Sequence, residues 1–207
     1  KIVNHKSGKV VSESSRSLLI KDTEVFVRYN QAISILNKVR KFGEPTYESV
    51  VSSRKPFGLV SNFKGYSKIK TSKNYITLYK VGGVGFVNES EILNNNDLIN
   101  KIKVLVSKAS PGGDEYPHKV ISSPIIADTL SACTETYLIV DVVRNKKQAI
   151  NLTKYMSTRL FRFLMSLIKN TQNISKGVFA FVPVLDLSEE WTDEKLYKKY
   201  GINKEEI

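Results

Sequence analysis

The chain is poor in the residues that most often build reactive centres. It has one cysteine, Cys133, so no intrachain disulfide can form. Its two histidines, His5 and His118, lie far apart in sequence, and no Cys/His spacing of a zinc site occurs. No apolar run approaches the roughly 18–20 residues that a membrane-spanning helix needs, and no segment has the layout of a secretory signal. A reducing, cytoplasmic setting with no membrane contact is the expectation. Cofactor loops are missing too. "VGGVGFV" (81–87) contains G-x-G but no βαβ frame follows it, so it reads as a hairpin turn. There is no G-x-x-x-x-G-K-[ST] loop and no nucleophile elbow.

Acidic residues are also scarce relative to basic ones. Against 32 Lys plus Arg stand 20 Asp plus Glu, a net charge of +12. Such an excess points to a polyanionic partner, of which nucleic acid is the commonest; a lysine-rich composition that only confers solubility is the alternative. The 41% hydrophobic and 25% charged content is that of a globular chain, and 207 residues fit one domain or two small ones. One domain over 1–207 is the expectation.

The pattern predicts mixed helices and strands. Strands are expected at Lys9–Ser12, Glu24–Arg28, "YITLYK" (75–80) with a hairpin partner at 84–87, "KVLVS" (103–107), "YLIVDVV" (137–143) and "VFAFVP" (178–183). Asn30 is the expected cap of a helix whose face is Ala32, Ile35, Leu36 and Val39, ended by Gly43 and Pro45. A short helix is expected near 97–101, and "SPGGDEYP" (110–117) reads as a loop. One long amphipathic helix is expected over 146–169, its stripe Ala149, Leu152, Met156, Leu160, Phe163, Leu164 and Leu167 packing on a sheet. Thr192 should cap a last helix, with Asp193 and Glu194 in its first turn, Trp191 stapled to Leu196, and Gly201 ending it. "NKEEI" (203–207) offers Asn203 and Glu206 as a capping box and reads as a helix cut short, so the chain is expected to be a piece of a longer protein. The fold class is α/β (α+β mixed), a mixed β-sheet packed by the long helix.

Carboxylates that hold Mg²⁺ beside a lysine would make a metal-dependent nuclease. Asp114, Glu115 and Lys119, or Asp193, Glu194 and Lys195, are the available sets; a solvated loop and helix-dipole complementation explain them more simply. His118 reads as a surface-loop residue and Cys133 as a small buried hydrophobe. No metal ligand and no catalytic residue is assigned.

Features suited to binding are more numerous. "SSRKPFGLVSNFKG" (52–65) carries Arg54, Lys55 and Lys64, with Phe57, Asn62 and Phe63 between them, and no acid. Its cations suit phosphates, and Arg54 or Asn62 suits base edges, since Arg matches guanine and Asn adenine in the major groove. A structured loop whose two phenylalanines plug a core is the alternative. Lys68, Lys70 and Lys73 in "GYSKIKTSKNY" form a second group, open equally to phosphate tracking and to a solvated hairpin arm. The third group is the polar side and exit of the long helix: Lys154, Arg159 and Arg162, then Lys169, Asn170, Gln172, Asn173 and Lys176. A solvated face explains Lys154 and Arg159 as well. The hydroxyl run "SACTET" (131–136) is either a phosphate donor set or a strand entry.

"VSSRKPFGLVSNF", "KVLVSKASPGGDE", "SACTETYLIV", "RLFRFLMSLIKNTQNISKGVFAFVP" and "WTDEKLYKKYGINKEEI", taken in order over about 24–207, resemble the C-terminal region of adenine-specific DNA methyltransferases of bacterial restriction–modification systems. That resemblance implies a target recognition domain that selects duplex DNA for an upstream methyltransferase domain, in some systems with a restriction endonuclease subunit as a further partner. It also implies that S-adenosylmethionine belongs to the upstream domain and that this chain carries no cofactor. Consistent with that, neither the Asn/Asp-Pro-Pro-aromatic loop nor the glycine-rich donor loop of an amino-methyltransferase is present. A metal-dependent restriction endonuclease domain and a protein-interaction module are the alternative functions.

Overall fold

The computed structural model describes residues 1–19, 26–27, 29–109, 120–169 and 171–206. In chain order these form a hairpin of β1 (Ile2–Lys6) and β2 (Lys9–Ser14), then α1 (Asn30–Arg40), and a second hairpin of β3 (Tyr75–Lys80) and β4 (Gly83–Asn88). Next come β5 (Ile102–Ser107), β6 (Ile125–Ala127), β7 (Ser131–Cys133) and β8 (Tyr137–Val143). The helices α2 (Lys146–Ser157), α3 (Arg159–Ser166) and α4 (Asp193–Tyr200) complete the order. Short 3-10 turns lie at Tyr47–Ser49, Glu89–Glu91, Asn96–Leu98 and Lys176–Phe179. The described residues are thus a mixed α/β fold of four helices and three small sheets.

The sheet β6-β5-β8 is antiparallel and stands between two cores. Successive strand residues face opposite ways, and both long strands use this. Val104, Val106, Leu138 and Val140 join the larger core, with α1, α2 and α3. Leu105, Ala127 and Ile139 join the smaller one, with β3, β4 and Phe57. The sheet β4-β3-β7 closes that smaller core; β3 pairs with β4 antiparallel and with β7 parallel. Mixed pairing is therefore confined to this sheet, and three sheets replace the expected one. In the larger core Tyr155 meets Phe161 edge-on at 4.9 Å, and Phe161 meets Phe179 at 6.3 Å, the geometry that aromatic quadrupoles favour.

Three local expectations are corrected. The helix over 146–169 is two helices, because Thr158 leaves helical geometry at φ −64°, ψ 153°. Its hydroxyl accepts from Phe161 N at 3.2 Å and donates to Tyr155 O at 2.7 Å. Both oxygens of Asp193 then accept from Arg159 N and Leu160 N, so the new N-terminus is capped twice. The apolar stripe reads straight through, since both helices face one core. "VFAFVP" is not a strand; it is a 3-10 turn followed by one bridge, Thr46↔Pro183. Val178, Phe179, Phe181 and Val182 are all buried, and a run buried on every side has no period to distinguish strand from turn. Pro183 brings no N–H to extend a ladder. Asn30, finally, is the first helical residue and not the cap. Its side chain donates to Ile2 O and Ser12 Oγ and accepts from Arg16 Nε, tying α1 to the first hairpin.

Other expectations hold. Thr192 Oγ1 accepts from Lys195 N and Gly201 ends α4 at φ +65°. Asn203 and Glu206 make the reciprocal bonds of a capping box. The expected strand at 24–28 and the loop at 110–117 lie largely or wholly outside the described residues.

Candidate functional site

The loop after the 3-10 turn Tyr47–Ser49 is irregular because four anchors hold it without a ladder. Ser52 N donates to Ile139 O at 2.9 Å, and Ile139 N returns a bond to Ser52 Oγ at 3.0 Å. Phe57 is fully buried in the smaller core. Asn95 Nδ2 donates to Pro56 O, and Leu93 N donates to Phe57 O. Between them Lys55 takes φ +59° and Gly58 φ +81°. A Cβ on Gly58 would lie 2.8 Å from Leu93 Cβ, so only glycine fits both the conformation and the space. Further on, Phe63 folds back over Gly65, where a Cβ would lie 2.6 Å from its ring.

The fourth anchor is Glu135, which enters just after β7. Its backbone N donates to Leu59 O at 2.8 Å. One carboxylate oxygen accepts from Ser61 N at 3.2 Å and Ser61 Oγ at 3.4 Å; the other accepts from Arg54 Nε at 2.8 Å. Glu135 is 10% exposed at its side chain and Arg54 68%. Burial opposes ionisation of the carboxyl, but the bonds from Arg54 and Ser61 and the charges of Arg54 and Lys55 together outweigh it and hold its pKa below the usual value.

The predicted residues divide among these surroundings. Arg54, Asn62 and Lys64 are exposed and Lys55 is half-buried. Phe57 leaves the contact set: with no exposed surface it is an anchor. Lys68, Lys70 and Lys73 are exposed on the loop that leaves the edge of β4 at the Ser67↔Phe86 bridge and returns at β3. Gln172, Asn173 and Lys176 are exposed, whereas Lys169 is half-buried, with its pKa lowered by that burial. Asn170 lies outside the described residues, as do Asp114, Glu115, His118 and Lys119.

Hydrogen bonds connect the first and third groups. From Ser61 the path passes to Thr136, whose Oγ1 lies 3.5 Å from Ser61 Oγ. Lys108 N donates to Thr136 O at 2.8 Å, Ile174 N donates to Lys108 O at 2.7 Å, and Ala109 bridges Asn173. Both groups therefore flank one end of the central sheet, where β5 finishes and β8 begins. The lysines of the second group ride on the other sheet.

Charge is distributed to match. From Arg54 to Lys80 the chain has seven cations and no acid. Lys64, Lys68, Lys70 and Lys73 make no ion pair among the described residues, whereas Lys38, Lys154, Lys195 and Lys199 each meet a glutamate. The hydroxyl run is a strand entry: Ser131 and Thr134 are buried and bond within the protein, so they are not free phosphate donors. Asp193 is committed to the N-terminus of α3. Among the described residues no group of three His, Cys, Asp or Glu side chains is placed to hold a metal, and no helix is long and apolar enough to cross a membrane.

Sequence reasoning missed Glu135, the residue that joins loop, strand and arginine. Its signal was a single acid inside a neutral, small-residue segment. No family model matches the chain, and no curated protein matches it.

Proposed function

We propose that this chain binds duplex DNA in a sequence-dependent way, as the target recognition domain of an adenine-N6 DNA methyltransferase of a restriction–modification system. The observation that carries the reading is the stretch from Arg54 to Lys80, with seven cations and no acid, most of them exposed on irregular backbone. A polyanion neutralises such a stretch; a neutral partner leaves it desolvated and unpaired. Lys64, Lys68, Lys70, Lys73 and Lys176 would lie along phosphates and set register. Arg54 and Asn62, with Gln172 and Asn173 beyond them, would meet base edges. The parent enzyme would flip the adenine and supply S-adenosylmethionine from its upstream domain.

The test is binding of the chain to random-sequence duplexes across a salt series, followed by sequencing of the bound pool. A steep fall of affinity with salt and an enriched motif support the reading. Salt-insensitive binding to a protein subunit and none to DNA would replace it with the interaction-module reading. Mg²⁺-dependent cleavage of a plasmid would replace it with the endonuclease reading.

A further inference from the structure

The pairing of Arg54 with Glu135 has a geometry that general DNA affinity does not need. The arginine is bound at one atom, Nε, and by one carboxylate oxygen. Among the described residues its two terminal nitrogens meet no partner, and the side chain is 68% exposed. The carboxylate is the fixed half. Its other oxygen is held by Ser61, and its own backbone is bonded to Leu59. On the other side Lys55 at φ +59° and the buried Phe57 fix the backbone that carries Arg54.

An ion pair with so exposed a partner contributes little to folding. What it does contribute is orientation. A free arginine loses considerable rotamer freedom on binding. One clamped at Nε has already lost much of that freedom and presents Nη1 and Nη2 end-on. Two parallel donors at that spacing match two adjacent acceptors. In the major groove only guanine offers such a pair, O6 and N7; adenine sets a donor beside N7.

We infer that Glu135 is a positioning residue that aims the terminal nitrogens of Arg54 at a guanine in the recognised sequence. The inference rests on the DNA-binding reading above and adds the base and the residue that enforces it. A bidentate Arg–guanine contact discriminates roughly 5- to 150-fold against a wrong base. Replacing the carboxylate by an amide removes its charge and leaves one acceptor oxygen for the bonds that two now make to Arg54 and Ser61, which weakens the clamp while keeping the shape of the side chain.

The experiment is competitive selection from random duplexes at one salt concentration, using the wild type, Arg54→Ala, Arg54→Lys, Glu135→Gln and the double variant Arg54→Ala/Glu135→Gln. The expected result is one guanine position in the wild-type motif that Arg54→Ala and Arg54→Lys both lose. Glu135→Gln weakens that same position by roughly three- to tenfold, with affinity for unrelated sequences and salt slope unchanged. The double variant is no worse than Arg54→Ala. A motif whose every position survives Arg54→Lys overturns the inference and leaves the DNA-binding reading standing. So does a Glu135→Gln variant that matches the wild type, or that loses affinity equally for all sequences. Wild-type protein that binds no DNA, or binds without selecting a motif, overturns both. Arg54→Lys sits on an exposed side chain, so its outcome does not depend on tolerance of change at Glu135.

Discussion

Lys103 is the one buried cation among the described residues. It lies on β5 inside the smaller core with no exposed surface, and its Nζ donates to Leu98 O and Lys101 O at 2.7 Å and to Ile99 O at 3.3 Å. Three carbonyls at the end of a 3-10 turn thus meet the three donors of one ammonium. Lys103→Met keeps much of the stem and leaves those carbonyls without the donor, which is expected to lower stability by about 1–3 kcal/mol in urea unfolding. Burial pushes the Lys103 pKa down to about 8 from 10.5. At neutral pH the group is charged both folded and unfolded, so the difference from Lys103→Met is flat there. Between about pH 8 and 10.5 the unfolded chain holds the proton more tightly, and stability of the wild type should rise relative to the variant. Cys133 gives a second test. It is fully buried and its pKa is pushed up to about 12 by that burial. Alkylation should be undetectable in the folded protein and appear at the rate of unfolding. The sequence showed Cys133 as a buried hydrophobe, because nothing basic stood beside it in the chain. It showed Lys103 only as a strand residue, since the carbonyls that hold it carry no side-chain signature.

The elements that the sequence made legible are those whose signal is complete within one segment. β3 with its hairpin return lies where alternation puts it, β8 where a short apolar run puts it, α1 where its stripe does, and α4 where its stripe and caps do. Helix α2–α3 was misread because a stripe reports which face is buried, not whether the backbone between two turns is continuous. The N-terminus that opens at Thr158 is completed by Asp193, 35 residues further on, and no local pattern contains that partner. Thr158→Ala removes the near cap and leaves Asp193 in place; the expected cost is about 1 kcal/mol, read as a lower Tm with the helical signal retained. The 52–65 loop was legible in composition, not in construction: its cations were visible in one segment, while Glu135 and Asn95 reach it from others. Gly58→Ala tests that construction. It forces a side chain onto a backbone at φ +81° and against Leu93, and should lower stability by about 1 kcal/mol or more while disordering the loop. The final turn gives a pH test. Lys38, Ser34 and the Asn203 backbone hold Glu206 down to about 2. Its stabilising effect is therefore full above about pH 4.5 and lost as pH falls toward 2. Glu206→Gln should be less stable than the wild type by up to about 1 kcal/mol at pH 7, given partial solvent screening, and equal to it near pH 2.

Across the whole molecule the net charge of +12 is less informative than where the compensated and uncompensated cations lie. On α1, α2 and α4 the lysines Lys38, Lys154, Lys195 and Lys199 have glutamate partners. Between Arg54 and Lys80 there is no acid at all, and the acid that does reach this stretch, Glu135, arrives from another segment to hold one arginine. Summed charge gives both classes the same weight; binding to a polyanion does not. A lysine already paired must break its pair to release a counterion, whereas a solvated lysine meets a phosphate directly. Each phosphate neutralised contributes about 0.9 to the slope of log affinity against log salt on B-DNA. The combined variant Lys68→Ala/Lys70→Ala/Lys73→Ala should therefore reduce that slope by up to about 2.7 and weaken all sequences alike, with the selected motif unchanged. Lys154→Ala/Lys195→Ala, which removes two paired cations from the helical side, should leave the slope within error of the wild type. Equal losses from the two variants would mean that only net charge matters, and the segregation of bare cations on the 54–80 stretch would then have no role in binding.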